Sequence, residues 1–331
     1  MNHRKSFCLF CALLALLIAL NAQQAAAQKP RYTDPAKADE DFKFQGEYTG
    51  NVGDKKHGVQ IVALGKGEFQ AYVFPGGLPG DGWDGVEKMA VKSKGKLKEG
   101  VVTFIGDEHG NGTIKDGVLS VTTPNGEDKL GELKKVDRQS KTLGAKPPAN
   151  AVVLFDGKSA DGWKNGKMTE DGLLMQGTTS KKTFGSHKLH IEFQLPYMPQ
   201  DRGQGRGNSG IYVQGRYEVQ MLDSFGLEGK MNECGGIYSV KKCDLNMCYP
   251  PLSWQTYDIE YTAAEYKDGK VVSNPRMTVV HNGVTIHDNV ELPGNRNTTA
   301  APLKAGPSKG PIYLQNHGCP VRYRNIWVVE K

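Results

Sequence analysis

The chain reads as all-β, a small antiparallel β domain followed by a concanavalin-like jelly-roll sandwich. Three observations predict this. Apolar and polar residues alternate with a period of two along many short runs, as in half-buried strands. Gly, Asn and Asp turns such as Gly80-Asp81-Gly82, Gly110-Asn111-Gly112 and Asn125-Gly126 separate those runs. No segment keeps a helical period for more than about two turns, and strands without helical connections leave sheet packed on sheet.

Residues 1–27 carry His3, Arg4 and Lys5, the apolar run Phe7 to Leu20 and the triplet Ala25-Ala26-Ala27, which is the layout of a secretory signal peptide cut after Ala27. The apolar run falls short of the ~20 residues a spanning helix needs, and no later segment is apolar enough to cross a bilayer. The expectation is a periplasmic or secreted protein with no membrane span after signal removal. Cys8 and Cys11 lie inside the signal, and neither is placed for acylation. Residues 28–40 are polar and mixed and read as a linker.

From 41 to 140 the runs FKFQGEYTG, GVQIVALG, EFQAYVFPG, AVKSKGKL, VVTFIG, GTIKDGVLSV and KLGELKKV have the spacing of an antiparallel meander. The loop Gly76 to Gly85 holds Asp81, Trp83 and Asp84 among glycines, and reads as a Gly-Pro turn with one anchoring Trp rather than a ligand loop. KTLGAKPPAN at 141–150 has the composition of a domain boundary. Residues 151–331 restart with AVVLFDG and continue through LHIEFQL, SGIYVQ, RYEVQML, TYDIEYTA, PIYLQN and VRYRNIWVVE, with His281-Asn282-Gly283 as a hairpin turn.

A formal charge of +6 is spread thinly, and no basic-aromatic block tracks phosphates, which argues against nucleic acid as a partner. Beyond the signal, Cys234, Cys243, Cys248 and Cys319 make an even count in an exported chain, predicting one or two disulfides of open connectivity. Zinc is disfavoured by the lack of a CxxC or clustered Cys/His spacing, and a thiol nucleophile by the oxidising compartment.

The most telling segment is GNSGIYVQGRYEVQMLDS, 207–224. Its alternation sends Ile211, Val213, Tyr217, Val219 and Met221 to a core, and gathers Tyr212, Gln214, Arg216, Glu218 and Gln220 on the other face. An ordinary solvated sheet face would show the same alternation; the mixture of amide, carboxylate, guanidinium and aromatic groups also suits a hydroxyl-rich ligand. By the same parity His190, Glu192 and Gln194, and Tyr313, Gln315 and His317, point to open faces. If their strands are neighbours, the result is a sugar cleft. Glu218, Gln220 and Asp223 read E-x-Q-x-x-D, similar to the E-x-D-x-x-E of retaining glucanases, which need carboxyls about 5 to 5.5 Å apart. On a straight strand these two acids are about 16 Å apart and face opposite ways, so double displacement is disfavoured.

LFDGKSADGW at 154–163, the segment 207–226, CGGIY at 234–238, WQTYDIEY at 254–261, HNGVTIHDNVEL at 281–292 and LQNHGCPVRYRNIWV at 314–328 resemble the 3-keto-disaccharide hydrolase family of concanavalin-like sandwiches. KKCDLNMCYPP departs from the family's usual look and would reshape a loop at the cleft rim. The resemblance implies hydrolysis or elimination at glycosides oxidised at C3, a reaction that needs a base for the C2 proton, donors at the ketone oxygen and an acid for the leaving group. Residue chemistry then nominates Glu218 or His317 as base, Arg216 and Gln220 as donors, and Asp223 or Glu192 as acid or metal ligand. Tyr212, Gln214, Tyr238, Trp254 and Gln315, with Glu192, are the substrate-binding candidates. No cofactor is compelled; a divalent cation at Glu218, Asp223 and His317 is the one option. The rival readings are a carbohydrate-binding protein without turnover, stacking on Tyr212 and Trp254, and a retaining glucanase.

Overall fold

The computed structural model describes residues 29–86, 89–90, 94–106 and 110–331; the expected signal peptide, with Cys8 and Cys11, lies outside them. Eight strands, Gly46–Val52, Lys55–Gly65, Glu68–Pro75, Gly95–Lys98, Val101–Phe104, Asn111–Lys115, Val118–Thr122 and Lys129–Val136, pair antiparallel in sequence around a ring. The first closes it by pairing with the last, Tyr48 opposite Lys135, so the meander becomes a barrel. Closure removes open edges. Alternate side chains fill its interior, among them Tyr48, Ile61, Phe69, Val102, Phe104, Ile114 and Leu133. The expected strand AVKSKGKL is described as a strand only in part, Met89–Ala90 and Gly95–Lys98, with 91–93 outside the described residues. Trp83 packs edge-on against Phe74, ring centres 5.0 Å apart at 75°, so it anchors its glycine loop.

The second unit is a sandwich of two antiparallel sheets. One runs Val152–Phe155, Arg322–Glu330, His187–Gln194, Trp254–Thr262, Arg276–His281, Val284–Glu291, with Leu174–Met175 added beside Arg322–Glu330; the other runs Trp163–Lys164, Thr178–Phe184, Gly310–Leu314, Ser209–Val213, Tyr217–Met221. Leu189, Ile191 and Phe193 from the first meet Ile211, Val213, Val219, Met221, Ile312 and Leu314 from the second, the partition that a period of two dictates. The turn at Asn282 and Gly283 has φ of 52° and 81°, the left-handed pair of a two-residue hairpin. The strand Tyr217–Met221 would be a bare edge, but residues 235–238 cover it: Gln220 N–H donates to Gly236 O (2.9 Å), and Tyr238 N–H to Glu218 O (3.1 Å).

Both expected linkers are docked. Tyr32 and Tyr197 exchange backbone hydrogen bonds of 2.9 Å each, and their rings stack at 5.7 Å, fixing the lead-in to the sandwich. In the 141–150 segment, Gly144 N–H donates to Glu192 Oε1 (2.6 Å), and Ala145 O accepts from Asn325 Nδ2 (3.0 Å) and Trp327 Nε1 (3.3 Å).

The disulfides expected from the cysteine count are not formed: Cys234, Cys243, Cys248 and Cys319 are buried free thiols. Cys234 and Cys248 have their side chains in contact but unbonded, and Cys243 Sγ lies 3.7 Å from Cys234 O. Cys243 Sγ faces Gly229 O at 3.3 Å, Cys248 Sγ faces Leu222 O at 3.6 Å, Cys319 Sγ faces Gly205 O at 3.8 Å and Cys234 Sγ the Tyr257 hydroxyl at 3.3 Å. Among the described residues no helix is long and apolar enough to cross a membrane.

Candidate functional site

The site forms on the outer face of the five-stranded sheet, where three strands lie side by side. Tyr212 is opposite Glu218 on one side and Tyr313 on the other, and Gly210 is opposite Gln220. The period of two puts Gly210, Tyr212, Glu218, Gln220 and Tyr313 on one surface, while Ile211, Val219 and Ile312 hold the opposite surface in the core.

Glu218 is the centre of this arrangement. It is 2% exposed. Its Oε2 lies 2.7 Å from the Tyr212 hydroxyl, which is also 3.0 Å from Thr299 O, so one phenolic proton serves two acceptors. Its Oε1 lies over Gly210, where a Cβ would come within 2.0 Å of it; only glycine leaves room for the carboxylate there. Burial pushes the Glu218 carboxyl up to about 7, against the opposing pull of the Tyr212 hydrogen bond. The same burial, and the nearby carboxylate, push the Tyr212 hydroxyl up as well.

Around this pair sits a set of amides. Gln315 Nε2 donates to the Tyr212 hydroxyl (3.2 Å). Gln220 Nε2 reaches Gln204 Oε1 (3.2 Å), to which Asn208 Nδ2 also donates (3.2 Å). Gln315 Oε1 and Asn208 Oδ1 are buried without a hydrogen-bond partner, two acceptors for which a ligand hydroxyl would be the natural donor. Half-buried Tyr238 and Tyr313 flank the pair, the Tyr313 ring 5.4 Å from that of Tyr212. His317 is exposed, two residues beyond Gln315 at the end of its strand.

Other sequence-derived candidates do not join this group. Arg216 has the expected parity, but residues 298–308 fold over it: Nε donates to Lys304 O (2.8 Å), Nη1 to Ser308 O (3.0 Å) and Nη2 to Ser308 Oγ (2.9 Å). Its guanidinium is a loop anchor, not a free donor. Gln214 sits in the hairpin turn at φ 53°, donating to Phe184 O (3.0 Å) and accepting from the Tyr261 hydroxyl (3.0 Å). Asp223 is held in a buried ion pair with Arg206 Nε (2.6 Å).

Glu192 and Trp254 belong to the other sheet, on its outer face beneath the 141–150 segment. Burial alone would raise the Glu192 carboxyl, but His190 3.8 Å away and hydrogen bonds from Asn325, Arg324 and Gly144 outweigh it and hold it down at about 2. The Arg324 guanidinium lies 3.9 Å from the Trp254 ring centre. Among the described residues no three His, Cys, Asp or Glu side chains come together as a metal site, so Glu218, Asp223 and His317 form no ligand set. Asn208, Gln204 and Gly210 are the members that strand reading did not single out. Asn208 shares its parity with Gly210 and Tyr212, and that was the available signal; Gln204 arrives from a short 3-10 turn, Gly203–Gly205, with none.

A carboxyl that titrates near neutrality, fixed by a phenol and surrounded by unsatisfied amide oxygens, can accept a proton from a bound polyol-like ligand. Residues 150–329 match a family described as the 3-keto-alpha-glucoside-1,2-lyase-like domain. Among solved structures, a candidate glycosyl hydrolase from Parabacteroides distasonis is 35% identical over 56% of this chain and 85% of its own, with a TM-score of 0.49. A second from the same organism is 18% identical over 55% of this chain and 94% of its own, with a TM-score of 0.40. No curated protein matches.

Proposed function

Because the chain belongs to the 3-keto-alpha-glucoside-1,2-lyase-like domain family, we propose that it is an exported enzyme cleaving 3-keto-glycosides, with Glu218 as the base. The ketone at C3 acidifies the C2–H bond. Glu218 takes that proton, the electron pair moves into the C2–C3 enolate, and collapse of the enolate re-forms the C3 ketone and the C1–C2 double bond as the C1–O bond breaks; the departing oxygen takes its proton from solvent water. Water added across the new double bond completes a net hydrolysis; without it the product is an enone.

The observation that carries this reading is the buried Glu218 carboxyl, held by the Tyr212 hydroxyl at 2.7 Å with its other oxygen over Gly210, and pushed up to about 7 by burial. Raising a glutamate toward neutrality strengthens it as a base toward a carbon acid while leaving it ionised in part at pH 7. Tyr212 holds one carboxylate oxygen, and Oε1 lies over Gly210, where no side chain intervenes. Gln315 and Asn208 receive sugar hydroxyls. Among the described residues no hydrogen bond ties the exposed His317 to this group, so Glu218 is assigned as the base. The test is incubation with a 3-keto aryl glucoside and with its unoxidised parent. The reading requires aglycone release from the ketone alone, lost in Glu218→Gln and retained in His317→Ala. Cleavage of the parent at a comparable rate would make the protein an ordinary glycosidase, and binding without release a lectin-like module.

A further inference from the structure

A cavity of about 600 Å³ lies between the barrel and the back of the sandwich, within the size range of small-molecule sites. The barrel contributes Gln45 and the stretch Lys135 to Gln139; the sandwich contributes Pro250 to Trp254. It is remote from Glu218 in the fold, since Trp254 is on the outer face of the seven-stranded sheet and Glu218 on the outer face of the five-stranded one.

Three features of its wall define what would fit. Half-buried Phe42 and Trp254 supply aromatic surface. Gln45 is 3% exposed, and its Oε1 accepts from Ala63 N–H (3.1 Å), while its Nε2 is buried without a partner. Gln45 lines the cavity, and its buried, unpaired amide donor is a group that a small side-chain shift would offer to a ligand acceptor. The cations present are already engaged: Lys135 Nζ donates to Lys43 O (2.7 Å), and Arg138 binds Glu47 through Nε (2.7 Å) and Nη2 (2.6 Å) and Pro79 O through Nη1 (2.8 Å). The groups left for a ligand are an amide donor, the Ser253 hydroxyl, the exposed Gln139 amide and the exposed Asp137 carboxylate.

A wall with aromatic faces, amide and hydroxyl groups, one exposed carboxylate (Asp137) and cations already hydrogen-bonded to protein acceptors selects against phosphates and carboxylates. It suits a neutral polyhydroxylated ring, which presents C–H groups to aromatics and hydroxyls to amides and carboxylates. We infer that this interdomain cavity is a second saccharide site, separate from the one at Glu218, in which the barrel and the sandwich grip a neutral sugar together. It gives the barrel a function, holding glycan beside the catalytic unit.

The experiment is calorimetric titration of the full chain with cellotetraose, maltotetraose and xylotetraose, on a Glu218→Gln background so that no turnover occurs. The inference requires saturable binding of at least one of these, weakened at least tenfold by Trp254→Ala and again by Gln45→Glu, which keeps the acceptor for Ala63 while deleting the bare donor. Thermal melting of each variant identifies any that fails to fold, and the other then decides. Lack of saturable binding by all three sugars at millimolar concentration, or binding undiminished in the folded variants, overturns it.

Discussion

Replacing Glu218 by Gln should stabilise the protein and inactivate it in one step. The Glu218 carboxyl moves from an ordinary 4.5 to about 7 on folding, because the native site disfavours its ionised form. A raised carboxyl pKa means that native stability is fully present below 4.5 and is lost as pH rises through 7. The difference between 4.5 and about 7, at 1.36 kcal/mol for each tenfold change in ionisation constant, amounts to about 3 kcal/mol at pH 8 and almost nothing at pH 4. Gln has nearly the same shape, stays neutral and keeps an oxygen to accept from Tyr212. Urea denaturation of wild type and Glu218→Gln at pH 8 and pH 4.5 should therefore show the variant more stable by about 3 kcal/mol at the higher pH, with the gap closing at the lower. Turnover of a 3-keto aryl glucoside should fall by roughly a hundredfold or more. A variant no more stable than wild type at pH 8, or a gap independent of pH, would refute the idea that burial at this site raises the base strength of Glu218.

Four further outcomes follow from the same geometry. In wild type, kcat/KM should rise with pH and level off above about 7, as the Glu218 carboxyl of the free enzyme ionises; a flat profile from pH 5 to 9 would contradict this. Gly210→Ala puts a Cβ 2.0 Å from Glu218 Oε1, and a displaced base should lower kcat by about a hundredfold in a protein that still folds; an unchanged rate would show that the carboxylate works from another position. Burial would lower the pKa of His190, but its hydrogen bond to Asp258 (2.6 Å to Oδ1) and the Glu192 carboxylate 3.8 Å away raise it instead. Its contribution to stability is present below about 6.5 and lost as pH rises through the higher folded value, so Asp258→Asn should flatten the decline in melting temperature above pH 6.5; an unaltered slope counts against a charged His190. The thiols of Cys234, Cys243, Cys248 and Cys319 should react with Ellman's reagent only after unfolding, without prior reduction; a requirement for reductant would reveal a disulfide.

The alternation of side chains was legible in the sequence because it is local. Ile211, Val213, Val219, Met221, Ile312 and Leu314 go to the core, and Tyr212, Glu218, Gln220 and Gln315 do not point into it. Which sheet a strand joins is not local. His187–Gln194 has the expected parity, yet its partners are Trp254–Thr262 and Arg322–Glu330, which carries Glu192 away from Glu218. Parity is also blind to what lies above a face, and so Arg216, expected to greet a ligand, is instead clasped by carbonyls of the 298–308 loop. The raised Glu218 carboxyl is likewise a product of assembled burial that no residue pattern announces. The cysteine count predicts pairing but not bonding: the Cys234 and Cys248 side chains do meet, yet as free thiols.

The central claim is that Glu218 removes a hydrogen from the sugar carbon next to the ketone, and isotopic labelling at that carbon tests it most directly. With a 3-keto aryl glucoside deuterated at C2, the account predicts that wild type passes the deuterium to water in step with release of the aglycone, and that Glu218→Gln does neither. Release of the aglycone with the deuterium retained at C2 would contradict it.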